Sequence, residues 1–294
     1  MSLDNSRVFW DAKAAENPYW YVSSYGPYDE RNLAEFWQAG HRIWLDLRDA
    51  IGYLPTRRDV VIEIGCGVGR LTRAIAADVG HVHAFDISEG MLQVARRSGL
   101  SNATFRHGEG DSLAGVPSGA ADLAIAYCVF QHLPSVAVLK RYLGEMTRVV
   151  KPGGRIVIME SQTLPAMFLP GHPSLERRIQ EAESERSREE AGARTFQERR
   201  QRTLEALREA NLADVAQETH LLQCRAPLTA AARAYIETVV FGRNWGERLR
   251  PLLSSEDWAR RAALCDPQSA EYVLARPDYY CLYPITVFTA RNRA

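Results

Sequence analysis

The feature that most constrains this chain is a glycine turn, Glu63-Ile64-Gly65-Cys66-Gly67-Val68-Gly69-Arg70. Before it, VVIEI (60–64) reads as a short buried strand; after it, Arg70 to Val79 reads as a helix. Three glycines in one turn lose a large backbone entropy on ordering, a cost a purely structural loop has little reason to carry. At the carboxyl end of a strand such a turn lets a ligand approach the backbone closely. Asp86 follows the next strand, HVHAF (81–85), 21 residues after Gly65. A carboxylate there can accept both hydroxyls of a ribose. The spacing separates two ligand types. A dinucleotide fingerprint, Gly-x-Gly-x-x-Gly, needs glycine or alanine at position 70, where this chain has Arg70.

Downstream the same rhythm continues. Residues 89–98 read as a helix, ATFR (103–106) as a third strand and DLAIAYC (122–128) as a fourth. Val136, Leu139, Leu143, Met146 and Val150 step by three and four, predicting a helix. Lys151-Pro152-Gly153-Gly154 stops it, with positive φ expected at Gly153 or Gly154, and RIVIME (155–160) reads as a fifth strand. Strands alternating with helices imply parallel βαβ units. VAQETHLLQC (215–224) and YPITVFTARN (283–292) read as two more strands. An amphipathic helix is expected at 31–52, a charged helical stretch broken near Gly192 at 174–210, and two further helices at 229–242 and 255–265.

The turn resembles motif I of class I S-adenosylmethionine-dependent methyltransferases, whose order is acid-x-Gly-x-Gly-x-Gly. The similarity covers about residues 59–160, through DLAIAYCVFQHLP (122–134) and VVKPGGRIVI (149–158). It implies an α/β, Rossmann-like, mostly parallel seven-stranded sheet with helices on both faces. Three parts follow from it: an N-terminal aromatic and helical cap at 1–55, a cofactor-binding core at 56–160, and the rest of the core at 161–294. Helical lid inserts are expected at 161–195 and 226–282.

The resemblance also implies S-adenosylmethionine as cofactor and S-adenosylhomocysteine as product. Glu63, Gly65, Cys66, Gly67 and Gly69 would form the turn around it, with Asp86 on the ribose and Ile87 on the adenine. HGEGDSL (107–113) resembles the family's loop after the third strand. There Glu109 takes the place of an aspartate that accepts from the adenine amine, with Gly110 beside it and Asp111 as a rival partner. Met91, Tyr127 and Tyr21 complete the implied cofactor set.

Methyl transfer from a sulfonium needs mainly alignment, worth about 7–11 kcal/mol, and a base when the acceptor must lose a proton. His132, past the fourth strand, and Glu160, ending the fifth, are the candidate bases. Each has a bland counterpart, in packing for His132 and in structural hydrogen bonding for Glu160. The aromatic stretch at 8–28 is either core or a flap over the cofactor, with Trp20 and Tyr25 toward the acceptor beside His132.

Lys+Arg and Asp+Glu are equal at 36 each, against a long basic surface for nucleic acid. The fourth strand also lacks the Asn/Asp-Pro-Pro-Tyr signature of amino-methylating base enzymes. Five scattered cysteines without a Cys-x-x-Cys pair argue against disulfides and zinc, and no metal is expected. No run reaches the roughly 18 apolar residues of a membrane span, and MSLDNSRVFWDAK lacks the apolar run of a signal peptide, so a cytoplasmic protein is expected. The expected partner is a small, largely apolar molecule, with O, N, C and S all compatible as the acceptor atom. A nucleic-acid methyltransferase and a cofactor-binding module without catalysis remain alternatives.

Overall fold

The computed structural model describes residues 2–23, 33–161, 167–191 and 196–293. Seven strands are β1 (Val60–Ile64), β2 (His81–Asp86), β3 (Ala103–His107), β4 (Ala121–Tyr127), β5 (Val150–Ser161), β6 (Ala213–Arg225) and β7 (Tyr280–Arg291). They form one sheet in the order β3-β2-β1-β4-β5-β7-β6. β1 to β5 pair in parallel, and β7 runs antiparallel to both β5 and β6. The strand order reverses beside β1, between β2 and β4. In such sheets the ligand crevice opens there, above the carboxyl ends of the strands.

Helices cover both faces. α3 (Leu33–Ala50), α4 (Arg70–Ala76) and α5 (Glu89–Arg96) lie on one side, and α6 (Val136–Val149) and α8 (Phe196–Glu209) on the other. α3 seats Trp44 and Leu47 against Leu71, Ile75, Val61 and Val157. Trp44 Nε1 and Arg48 Nη1 both donate to Asp78 Oδ2, at 2.9 and 2.8 Å, which ties α3 to the end of α4. On the other face Leu139, Leu143 and Met146 of α6 meet Leu207 of α8 over Ile62, Ile156 and Phe288. The period of the sequence and the buried faces agree because these helices have only one side to hide.

The strands expected at 60–64, 81–85, 103–106, 122–128, 215–224 and 283–292 match β1 to β4, β6 and β7 within three residues at each end. β5 begins earlier than expected, at Val150. Its register to β4 breaks between Ala121 and Leu123, where Lys151–Gly154 loops out with Gly153 at φ +75°.

The aromatic N-terminus is helical: α1 (Leu3–Glu16) and α2 (Pro18–Val22). Asn17 separates them, and its side chain accepts the Trp20 N–H at 3.0 Å as the cap of α2. The inserts build a small layer of their own from α7 (Pro173–Ala191), α9 (Ala230–Tyr235) and α10 (Ser255–Cys265). Phe168, Ile179, Ile236, Phe241, Trp245 and Leu264 form its core. The helix expected at 229–242 becomes π-helical from Ile236 to Asn244. The break expected near Gly192 lies outside the described residues. Among the described residues no helix is long and apolar enough to cross a membrane.

Candidate functional site

β1 and α4 must be joined by a turn tight enough to bring its amides over the end of β2. Gly65 and Gly67 adopt φ +70° and +53°, where a Cβ would strain the chain. The Gly65 and Cys66 N–H groups donate to Phe85 O at 2.7 and 2.9 Å. The Gly67 N–H donates to Asp86 Oδ2 at 2.7 Å, and the Ser88 N–H to Oδ1 at 2.9 Å. Asp86 is thus fixed with acceptor capacity to spare, since a carboxylate offers about four lone-pair sites. Burial raises its carboxyl, and the Ser88 and Gly67 amides pull the other way.

Two charged groups flank the turn. Glu63 is buried, and its Oε2 accepts the Thr72 hydroxyl at 2.5 Å. Burial pushes it up to about 7. Arg70 is only 5% exposed, its guanidinium 5.3 Å from the centre of the Phe36 ring, and its Nη1 is buried with no hydrogen-bond partner. A buried guanidinium nitrogen with no acceptor among the described residues is costly, so this arrangement suits an anion.

Glu63, Arg70 and Asp86 share one cavity of about 340 Å³. Its adjoining walls are Gly65, Cys66, Gly67, Ile87, Met91 and Gly110. α1 and α2 roof it with Leu3, Ser6, Trp10, Tyr21, Val22 and Ser23. The Ser23 hydroxyl is buried and also has no partner. From the middle of the sheet come Tyr127, Cys128 and, at the mouth, the exposed His132. The far end holds Gln131, Ser161, Phe168, Tyr235, Tyr283 and Ile285.

Cys128 sits at φ +57°, a conformation rare for a residue with a Cβ, held by its N–H donating to Met159 O at 2.8 Å. Burial pushes its thiol up to about 12, so it is no thiolate nucleophile at neutral pH. Burial also holds the Tyr127 phenol above its ordinary value. His132 meets the edge of Trp10 with ring centres 5.4 Å apart. Gln131 Oε1 accepts the Ser161 N–H at 2.9 Å, which fixes its amide, and Gln131 Nε2 then lies 3.2 Å from His132 Nε2 as a donor.

Several expected residues stand elsewhere. Glu160 is buried but does not reach the cavity: its Oε1 accepts the Thr203 hydroxyl of α8 at 2.7 Å, while its neighbour Ser161 faces the cavity. Strand alternation turns the two side chains opposite ways. Glu109 is exposed, and Asp111 is held by Arg141 Nε at 2.6 Å, so of that loop only Gly110 lines the wall. Gly69 caps α4 at φ +82° beneath the turn, near Phe105 and Ala95. Trp20 is half-buried in α2 and is not part of the wall. Tyr25 lies outside the described residues. Arg70, Trp10, Gln131 and the aromatic far end were not anticipated as site residues. Arg70 alone carried a signal, as the first helical residue after the turn.

Residues 62–158 match a family described as a methyltransferase domain. Residues 62–158 thus carry a methyltransferase domain. This methyltransferase core is 35% identical over 113 residues to a demethylmenaquinone methyltransferase of Clavibacter sepedonicus, covering 38% of this chain and 44% of that protein. It is 27% identical over 125 residues to a ubiquinone biosynthesis O-methyltransferase of Xanthomonas oryzae pv. oryzae, covering 40% and 51%. The match thus spans about half the length of these curated relatives. The YcgJ protein of Bacillus subtilis has the same fold, with a TM-score of 0.52 at 18% identity over 86% of this chain and all of that one. Among the described residues no group of three or more His, Cys, Asp or Glu is placed to hold a metal ion.

Proposed function

We propose that this chain transfers the methyl group of S-adenosylmethionine to a small, neutral, largely apolar acceptor. The observation that carries the reading is the buried Arg70 guanidinium on the cavity wall beside the glycine turn, its Nη1 without a hydrogen-bond partner among the described residues. It suits the α-carboxylate at the aminoacyl end of that cofactor. Glu63 suits the neighbouring ammonium, which would favour its ionised form. Asp86 would take ribose hydroxyls, and Ile87, Met91, Gly110 and Leu3 offer an apolar slot for the adenine ring. When bound, S-adenosylmethionine supplies a methyl group on a sulfonium, ready for in-line transfer.

The chain's own part is alignment and proton removal. α1, α2 and the insert layer exclude water from the far end of the cavity. His132 is placed to take an acceptor's proton at Nε2, once the acceptor displaces the Gln131 amide there. Among the described residues the charged wall groups Glu63, Arg70 and Asp86 all sit by the turn, and the far end carries none. That supports a neutral acceptor over a phosphorylated or cationic one. Relatives named for demethylmenaquinone and ubiquinone biosynthesis point the same way. The high thiol value of Cys128 speaks against cysteine attack on a nucleobase.

The test is calorimetry with S-adenosylhomocysteine and NAD, followed by label transfer from S-adenosylmethionine to neutral phenols, to phosphoethanolamine and to an oligonucleotide. Binding of the adenosyl ligand with transfer to phenols alone is expected. Tight NAD binding with no heat from S-adenosylhomocysteine would overturn the reading.

A further inference from the structure

Three separate stretches of chain bring aromatic rings to the far end of the cavity. Phe168 follows β5, Tyr235 ends α9 and Tyr283 lies on β7. Phe168 and Tyr283 meet edge to face with centres 5.2 Å apart, and Tyr235 lies 6.1 Å from Tyr283. Phe168 is backed by Trp245 at 5.9 Å, again edge to face. These spacings are those of interacting aromatic pairs rather than of a generic apolar lining.

The backbone beneath Phe168 is fastened with unusual thoroughness. Met167 bridges Leu282, the two N–H groups donating to the opposite carbonyls at 3.1 and 2.9 Å. The Tyr279 hydroxyl donates to Phe168 O at 3.2 Å. The Glu176 carboxylate accepts the Phe168 N–H at 2.9 and 3.0 Å and the Leu169 N–H at 2.7 Å. Glu176 is 3% exposed, and among the described residues no Lys or Arg pairs with it and the Gln180 amide, at 2.9 Å, is its one further donor. Burying a lone carboxylate to hold one loop is expensive, and what it secures is the position of the Phe168 ring. On the other side of the same wall the helix becomes π-helical immediately after Tyr235, a local rewinding that re-aims the side chains at the junction.

We infer that Phe168, Tyr235 and Tyr283 form a preset slot for a flat, uncharged aromatic ring, and that Glu176 is the positioning residue that holds Phe168 in it. The inference rests on the methyl-transfer reading and names its acceptor class. Gln131 and Ser161 line the same end as polar handles, and among the described residues the slot has no fixed charge.

Two probes of equal carbon skeleton separate flatness from mere greasiness: 2-naphthol and decahydro-2-naphthol. Their dissociation constants are measured on the full chain by fluorescence, with and without saturating S-adenosylhomocysteine. The wild type is expected to prefer 2-naphthol by about ten-fold, the scale of one or two aromatic contacts. Phe168→Leu, which keeps bulk but removes the ring, should abolish that preference while leaving S-adenosylhomocysteine affinity within about two-fold. Glu176→Gln should lower the preference several-fold, and Phe168→Tyr should retain it. Equal binding of the two probes by the wild type, failure to bind either, or an intact preference in Phe168→Leu would overturn the inference. Failure to bind S-adenosylhomocysteine would instead sink the methyl-transfer reading, and the unliganded titrations would still report on the slot.

Discussion

Replacing Arg70 by Met keeps an unbranched stem packed over Phe36 and beside Gly40 while removing the charge. In the free protein two effects oppose each other. The guanidinium over the Phe36 ring at 5.3 Å is worth about 0.5–2 kcal/mol as a cation–π contact. Against it stands the desolvation of a cation whose Nη1 has no acceptor, a penalty of several kcal/mol for a buried ion after relaxation. Arg70→Met should therefore melt at the same temperature as the wild type or higher. In the ligand complex the balance changes, because a carboxylate would meet the guanidinium. A hydrogen bond to a charged group contributes about 1.5–3 kcal/mol, so S-adenosylhomocysteine should bind roughly 10- to 150-fold more weakly. The assay is calorimetry with S-adenosylhomocysteine and with 5′-methylthioadenosine, which has the adenosine and the sulfur but no aminoacyl group. The loss should appear with the first ligand and be absent with the second. Equal weakening of both would mean that Arg70 shapes the turn rather than binding an anion. Unchanged affinity for S-adenosylhomocysteine would refute the assignment outright.

Asp86→Ala should weaken both of those ligands by about 1–3 kcal/mol, since both carry the ribose; an unchanged dissociation constant would remove Asp86 from the ribose site. Glu63, pushed up to about 7 in the free protein, is largely protonated below that pH. Pairing with a ligand ammonium requires its ionised form, so binding should release a proton and weaken as pH falls below about 7. Calorimetry in two buffers of different ionisation enthalpy reads that proton, and Glu63→Gln should abolish the release. His132→Ala should lower turnover about 10²-fold or more with S-adenosylhomocysteine affinity nearly intact, the scale of a general base; an unaffected rate would assign His132 to packing against Trp10.

How much of this was legible in the sequence depends on how local the determining physics is. The parallel core could be read because each of its strands is a short apolar run closed by a turn, and each helix shows one apolar face. Asp86 could be placed because one turn and one strand fix its distance from Gly65. Which of its two readings, candidate base or structural hydrogen-bonding group, suits Glu160 was not legible, because the identity of a strand end says nothing of which face its last side chain takes. Only the pairing with Thr203, 43 residues away, shows it. Glu109 is expected at the adenine amine from the resemblance of its loop, whereas the structure exposes it and turns Gly110 inward at φ +94°. The aromatic slot was beyond local reading altogether. Its three rings come from residues 168, 235 and 283, and no periodicity links them.

The two ends of the cavity and the roof between them are built with different rigidity. Asp86 is held by the Gly67 and Ser88 amides of the core, and Phe168 by Glu176, Tyr279 and the Met167 bridge. The roof between them is held more lightly. Ser6 is the one fully buried residue of α1, and Asp11 fastens that helix by accepting the Ser88 hydroxyl at 2.7 Å and the Gly90 N–H at 3.2 Å. Ser88 also caps α5, accepting the Met91 N–H at 3.1 Å, so its position does not depend on Asp11. Lifting α1 would break the two Asp11 bonds and the Leu3 and Trp10 contacts, and leave Asp86, the glycine turn and the aromatic slot in place. Elements with few buried contacts open at the lowest free energy. Under the methyl-transfer reading, opening the roof would withdraw Leu3 and Trp10 from the cavity and offer a route for cofactor exchange with the core anchors intact.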